Sequence, residues 1–203
     1  MREILRLLID RLETPIGEML IVADHEGNLR AAGWTNYETG MRHLLRRHYG
    51  EGFTLEPARN PHGFTQALKS YFEGDLTAID ELPVETAGTA FQREVWRALR
   101  KILCGTTVSY AHLAEEIGRP SAVRAVGLAN SSNPIGVVVP CHRVIGANGS
   151  LTGYGGGIER KRWLLEHEAG ASITKTKQRA LKVAVPLTYD SRSRRTLRIA
   201  LPG

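Results

Sequence analysis

Cys141 and His142 are neighbours in the run Val139-Pro140-Cys141-His142-Arg143-Val144, set between the apolar residues 135–139 and the pair Val144-Ile145. Cysteine attacks as the thiolate, and an unassisted thiol is only a few per cent ionised at neutral pH. A base beside it raises that fraction, and the adjacent imidazole is such a base. The pair therefore suggests a sulfur nucleophile. A buried cysteine can also be a small packing residue with no chemistry, so these two residues alone leave both roles open. Cys104 has no base beside it and reads as structural. With Cys141 given to chemistry, Cys104 alone makes no metal site. His43 and His48 lie five residues apart with no cysteine near them and read as surface histidines. There is no Gly-rich phosphate loop and no methyl-donor fingerprint, so neither cofactor nor metal is expected.

The surrounding residues decide between the two roles. Upstream stand Arg124-Ala125-Val126-Gly127 and Asn133-Pro134. Downstream stand Gly153-Tyr154-Gly155-Gly156-Gly157 and Lys161-Arg162-Trp163-Leu164-Leu165-Glu166-His167-Glu168. In type, order and spacing this set resembles the O6-alkylguanine-DNA alkyltransferases, or methylated-DNA–protein-cysteine methyltransferases, in their stand-alone form. The resemblance is dense from Thr86 to Gly170. It runs more loosely back through Leu68-Lys69-Ser70-Tyr71-Phe72 to Thr14-Pro15-Ile16-Gly17, and residues beyond Gly170 lie outside it.

The resemblance implies DNA repair by direct reversal. Cys141 would take the alkyl group from O6-alkylguanine, and also from O4-alkylthymine, in double-stranded DNA, once and irreversibly. His142 would remove the thiol proton through a water, and Glu168 would orient His142. Tyr110 would help rotate the nucleotide out of the duplex and give its hydroxyl proton to the purine. Arg124 would fill the space left in the base stack, as a planar guanidinium can. Asn133 would brace the helix-turn-helix against the site. Carbonyls of Cys141 and Val144 would accept from the guanine amino group, Tyr154 would wall the pocket, and the Gly155 N–H would donate to O6. Many family members carry serine or alanine at Gly155, so the loop 153–157, with four glycines, should be looser here. Arg143 reads as a structural salt-bridge partner. The zinc site of some members is not supported, and the cysteine-rich sensor domain of the adaptive-response relatives is not expected.

These side chains need elements to hold them. Thr89-Ala90-Phe91-Gln92 is a capping-box pattern. Phe91, Val95, Leu99 and Ile102 then share one helix face. Ser109 can cap a short helix carrying Leu113 and Ile117, stopped by Gly118 and Pro120; Ser121 can cap the next, residues 122–130. Helix, short turn, helix is the helix-turn-helix pattern. The second helix is built of small residues, among them Ala125 and Gly127, with Arg124 its single charge. Small side chains permit close helix packing, and they also let a helix enter the narrow minor groove, which is where the resemblance puts it. Residues 135–139 read as a buried strand behind Cys141. Residues 159–168 read as a helix with Trp163, Leu164 and Leu165 inward, ended by Gly170. An acid such as Glu168 in a last turn opposes the helix dipole, so local energetics do not explain it.

The N-terminal part reads as a small α/β domain, ribonuclease-H-like by resemblance. Residues 18–23 and 29–34 form two strands, Met41, Leu44 and Leu45 mark a helix, and Phe64, Leu68, Tyr71 and Phe72 mark another, stopped at Gly74. The expected architecture is α/β: an N-terminal domain over 1–86, a mostly helical DNA-binding and alkyltransferase domain over 87–170, and a disordered basic extension over 171–203.

Composition bounds the rest. The chain has 203 residues, 42% hydrophobic and 24% charged, enough for one or two cored domains. Its net charge of +6 is uneven: residues 171–203 hold eight Lys or Arg and one acid, which leaves residues 1–170 at −1. Overall basicity is therefore no argument that the folded part binds DNA. No apolar run approaches the roughly 20 residues of a membrane span, and the charged start, Met1-Arg2-Glu3, is no signal peptide. Two cysteines make no disulfide framework. A cytoplasmic monomer without membrane association is expected. Three alternatives stay open: an alkyltransferase-like binder without activity, a helix-turn-helix regulator, and a cysteine hydrolase. The presence of Cys141 opposes the first.

Overall fold

The computed structural model describes residues 4–50 and 52–179. Four strands make the N-terminal sheet. β1 (Leu5–Leu12) runs antiparallel to β2 (Met19–Ala23), β2 pairs antiparallel with β3 (Leu29–Trp34), and β4 (Phe53–Pro57) runs parallel to β1, giving the order β3-β2-β1-β4. A parallel pair cannot be closed by a tight turn; α1 (Glu38–Tyr49) lies in the connection from β3 to β4. α2 (Phe64–Phe72) buries Phe64, Leu68, Tyr71 and Phe72. β2 and β3 match their sequence patterns, whereas β1 and β4 were not expected. Arg6, Asp10 and Arg11 break the apolar alternation of β1, and Arg6 instead pairs with Glu56 of β4 at 2.7 Å. His43 is exposed, but His48 is half-buried, not a plain surface histidine.

By contacts the chain divides into two compact units. One is the chain up to Arg93 together with Ser132–Val139; the other is Glu94–Ser131 and the chain from Pro140 onward. In the first unit Ile135 forms a single bridge to Ala32 of β3. The backbone then turns: Val137 has φ of 70° and Val139 N–H donates to Ile135 O at 3.0 Å. The expected strand over 135–139 is therefore a buried turn. A left-handed φ cannot continue a strand, and the apolar run reflects burial, not extension.

α3 (Ala90–Leu99) starts at the expected capping box: Gln92 N–H donates to Thr89 Oγ1 at 3.2 Å, and Thr89 N–H to Gln92 Oε1 at 2.9 Å. In the second unit β5 (Val108–Ser109) pairs in parallel with β6 (Val144–Ile145). Ser109 caps α4 (Tyr110–Glu116) by accepting from His112 N–H. Gly118, at φ of 70°, makes the turn that an L side chain would strain. A 3-10 turn over Pro120–Ala122 then leads into α5 (Val123–Ser131). Ser121 lies inside that turn, so the helix is entered through 3-10 geometry and not through a serine cap. Trp96 Nε1 donates to Ala129 O at 2.8 Å and pins α5 to α3.

α6 spans Ile158–Arg179. Gly170 does not end it. Interior glycine costs a helix about 1 kcal/mol relative to alanine, and Gly170 does not adopt the left-handed conformation of a stop. The first part of the basic extension is thus helical, and residues 180–203 lie outside the described residues. None of the described helices is long and apolar enough to cross a membrane.

Candidate active site

Cys141 opens a buried 3-10 turn, Cys141–Arg143, between Pro140 and β6. Cys141, His142 and Arg143 are all buried. Opposite them the buried face of α6 carries Lys161, Leu164 and Glu168, spaced three and four residues apart. Trp163 and Leu165, expected to face inward with Leu164, are only half-buried.

One carboxylate organises the turn. His142 Nε2 lies 2.8 Å from Glu168 Oε1. Arg143 donates through Nη2 to Oε1 at 2.8 Å, through Nε to Oε2 at 2.9 Å, and through Nη1 to Ile102 O at 2.7 Å. The N–H of Gly105 adds a bond to Oε2 at 3.3 Å. Burial alone would raise the Glu168 pKa, but His142 and Arg143 hold it well below the usual carboxylate range. A carboxylate only accepts, so the ring proton of His142 sits on Nε2. Nδ1 is then the basic nitrogen, and it is buried with no hydrogen-bond partner among the described residues. Burial pushes the imidazole pKa down, partly offset by Glu168, and keeps the ring neutral and ready to take a proton. Because α6 continues past Gly170, Glu168 is not in a last turn and no dipole penalty applies. Arg143 has its expected salt bridge, on the carboxylate that orients His142.

Lys161 was not singled out from the sequence. Its Nζ is buried and donates to Val144 O at 2.6 Å and Thr152 O at 2.7 Å. Burial lowers its pKa to about 8, while the negative charge of Cys141 acts to raise it. The available signal was spacing: Lys161 precedes Glu168 by seven residues, two helical turns, and so shares its face.

The remaining expected residues divide by surroundings. The Tyr110 hydroxyl donates to Thr152 O at 3.4 Å, a long bond. The Val144 carbonyl already accepts from Lys161 and keeps one lone pair for another donor. Tyr154 meets the His142 ring edge-on, 6.4 Å between centroids. Gly155 is exposed, and a Cβ there would meet nothing within 4 Å. On α5 the exposed face carries Arg124, Ala125 and Leu128, while Val126, Ala129 and Asn130 are buried. A Cβ at Gly127 would stand 4.0 Å from Tyr110 Cδ1. Asn133 donates through Nδ2 to Val139 O at 2.8 Å and Ile135 O at 3.3 Å, and accepts from Ile135 N–H at 3.0 Å. These bonds brace the turn that runs into Pro140 and Cys141. Cys104 is half-buried. Among the described residues no three His, Cys, Asp or Glu cluster to hold a metal.

A helix-turn-helix and a buried Cys-His-Glu set in one unit define a class of DNA-binding proteins that work through a thiol. The comparisons narrow it. Residues 7–86 match the family model of the 6-O-methylguanine DNA methyltransferase ribonuclease-like domain, and residues 90–170 match that of its DNA-binding domain. The methylated-DNA–protein-cysteine methyltransferase of Shigella flexneri is 53% identical over 165 residues, 81% of this chain and 96% of its own length. That of Methanosarcina acetivorans is 42% identical over 159 residues, 77% of this chain and 94% of its own. A crystal structure of Mycobacterium tuberculosis OGT in complex with DNA aligns with a TM-score of 0.68 at 40% identity, over 82% of this chain and 94% of that one. The chain belongs to the methylated-DNA–protein-cysteine methyltransferase family.

Proposed function

We propose that Cys141 accepts the alkyl group of O6-alkylguanine in double-stranded DNA, once per chain, and so restores the base without strand cutting. As a member of its family the protein is a DNA-binding repair methyltransferase that transfers an alkyl group to cysteine. The finer statements are ours: the acceptor is Cys141, the protein acts as a cytoplasmic monomer, O4-alkylthymine is a second substrate, and residues 1–86 and 87–170 are its two domains. The observation that carries the reading is the His142–Glu168 contact at 2.8 Å, shared with Arg143. It fixes the imidazole tautomer and leaves Nδ1 to take the thiol proton, directly or through one water. The thiolate then displaces the purine in line. Lys161 supplies a buried positive charge near the sulfur.

Other residues serve recognition. Arg124, on the exposed face of α5, enters the stack vacated by the extruded nucleotide, which offsets part of a few kcal/mol of extrusion cost. Ala125 and Gly127 keep that helix slim. Val144 O and the Gly155 N–H read the guanine, and Tyr154 walls it. Tyr110 protonates the leaving purine. Asn133 keeps the turn before Cys141 rigid. A thioether is a poor leaving group, and nothing in the site is equipped to hydrolyse it, so the alkyl group stays.

The test is titration of methylated duplex into a fixed amount of protein. A plateau at one methyl removed per chain is expected, with the adduct on Cys141 by mass spectrometry. Cys141→Ser should remove none and still bind DNA. Turnover beyond one equivalent would return the hydrolase reading.

A further inference from the structure

We infer that Asn130 is a positioning residue for Tyr110: its side-chain amide holds the phenol as proton donor and stabilises the negative charge the phenol gains when that proton leaves. The inference rests on the alkyl-transfer reading above.

Asn130 lies near the end of α5 on its inward face and is 2% exposed. Neither Nδ2 nor Oδ1 has a hydrogen-bond partner among the described residues. A buried polar group left unsatisfied costs about 1–3 kcal/mol, and an apolar side chain at this position would carry no such cost. Packing therefore does not account for an amide here. Gly127 stands one turn earlier, and residues three apart share a helix face. The Cβ position of Gly127 is 4.0 Å from Tyr110 Cδ1, so the phenol ring lies along the face that carries Asn130. Burial raises the Tyr110 pKa, as does the charge of Cys141, while the Thr152 and Asn130 side chains both act to lower it. The amide is thus close enough to act on the hydroxyl, yet makes no bond of good geometry in the free protein. The hydroxyl's bond to Thr152 O, at 3.4 Å, is long enough to yield.

In the reaction the Cys141 sulfur forms a bond to the alkyl carbon, and the carbon–oxygen bond breaks with its electron pair going to guanine. The purine takes the Tyr110 proton and leaves a phenolate. Nδ2–H of Asn130 then donates to the phenolate oxygen, a charge-assisted bond stronger than a neutral one. The proton that His142 took from Cys141 returns through solvent to the phenolate. The net transfer is of the thiol proton to guanine and of the alkyl group to sulfur.

A double-mutant cycle tests this with the full chain. Single-turnover transfer from methylated duplex is measured for the wild type, Asn130→Leu, Tyr110→Phe and the double variant. Asn130→Leu is expected to slow transfer about tenfold or more, the weight of one charge-assisted hydrogen bond. In the Tyr110→Phe background the same change should cost less than about twofold. Iodoacetamide alkylation of Cys141 should be unchanged, and the phenolate absorbance of Tyr110 should titrate at higher pH in Asn130→Leu than in the wild type. Equal slowing in both backgrounds, or no slowing, overturns the inference. Should Asn130→Leu fail to fold, Asn130→Ser carries the same cycle with the same outcomes. A wild-type protein that transfers nothing overturns the functional reading instead, and the Tyr110 titration then decides the contact by itself.

Discussion

Lys161 and Glu168 stand two turns apart on one face of α6, both fully buried, a cation and an anion on the same stripe. They are not each other's partners. Glu168 is neutralised by Arg143 and holds a neutral His142, whereas Lys161 is bonded to two carbonyl oxygens. Arg143 and Glu168 cancel, so the buried site carries one net positive charge until Cys141 ionises. A buried charge is tolerated only when paired and hydrogen-bonded, and the thiolate completes the pairing. The positive charge of Lys161 and the negative charge of an ionised Cys141 favour one another.

Lys161→Met should slow iodoacetamide alkylation of Cys141 at neutral pH. Burial lowers the Lys161 pKa to about 8, so its charge is present below that pH and lost above it. The wild-type transfer rate should rise from the acid side as the thiolate forms, then fall as pH passes about 8. In Lys161→Met the rate should be lower and the alkaline fall absent. A wild-type rate still climbing well into the alkaline range removes Lys161 from the supply of thiolate.

Glu168→Gln should cost both reactivity and stability. It leaves the Arg143 charge buried without a counter-charge, for which removal of one partner typically costs about 3–5 kcal/mol. Because the Glu168 pKa is depressed below its ordinary 4.5, its stabilisation is complete at neutral pH and is lost as pH falls below that value toward the folded pKa. Urea midpoints below pH 4.5 should therefore fall more steeply for the wild type than for Glu168→Gln. Parallel slopes would show that Glu168 does not carry this linkage.

Much of this site was legible from residue types. Cys141-His142, the Thr89–Gln92 box, the Ser109 cap and the glycine turn at 118 are local signals, each read within a few residues. What stayed hidden was tertiary. Apolar periodicity placed Trp163, Leu164 and Leu165 inward, but the stripe that α6 buries is Lys161, Leu164 and Glu168. A rule that ranks faces by hydrophobicity cannot find a buried face chosen for charge. Residues 135–139 are apolar because they are covered, and only the φ of Val137 reveals a turn. β1 hid because Arg6 and Arg11 find their carboxylates on other segments, Glu56 and Glu18. Gly170 misled because glycine weakens a helix without stopping it.

Arg124→Ala should weaken repair of duplex DNA more than transfer from the free alkylated base. Arg124 is exposed on α5, and in the role proposed for it, it would act on extrusion, not on displacement. Single-turnover rates with the two substrates separate the effects, and equal losses would refute the stacking role.

Two truncations should behave differently. A chain ending at Arg179 should keep the transfer rate at saturating DNA and lose some salt-sensitive affinity, since it removes five Lys or Arg from the basic extension. A chain ending at Gly170 places the helix terminus beside Glu168, where the dipole opposes an acid by about 0.3–1 kcal/mol. It should melt slightly lower while still reacting. Equal melting temperatures would show that the helix beyond Gly170 gives Glu168 no support.

The shared carboxylate also has a genetic consequence. Because Glu168 holds His142 and neutralises Arg143, a lesion at that codon should deplete the protein from the cell, and its phenotype should be recessive. A Cys141→Ser allele leaves the ion pair intact, so under the proposed reading the protein should persist, bind damaged DNA and shield it from other repair. That allele should be dominant over a wild-type copy, and immunoblot abundance alongside alkylation survival would tell the two kinds of loss apart.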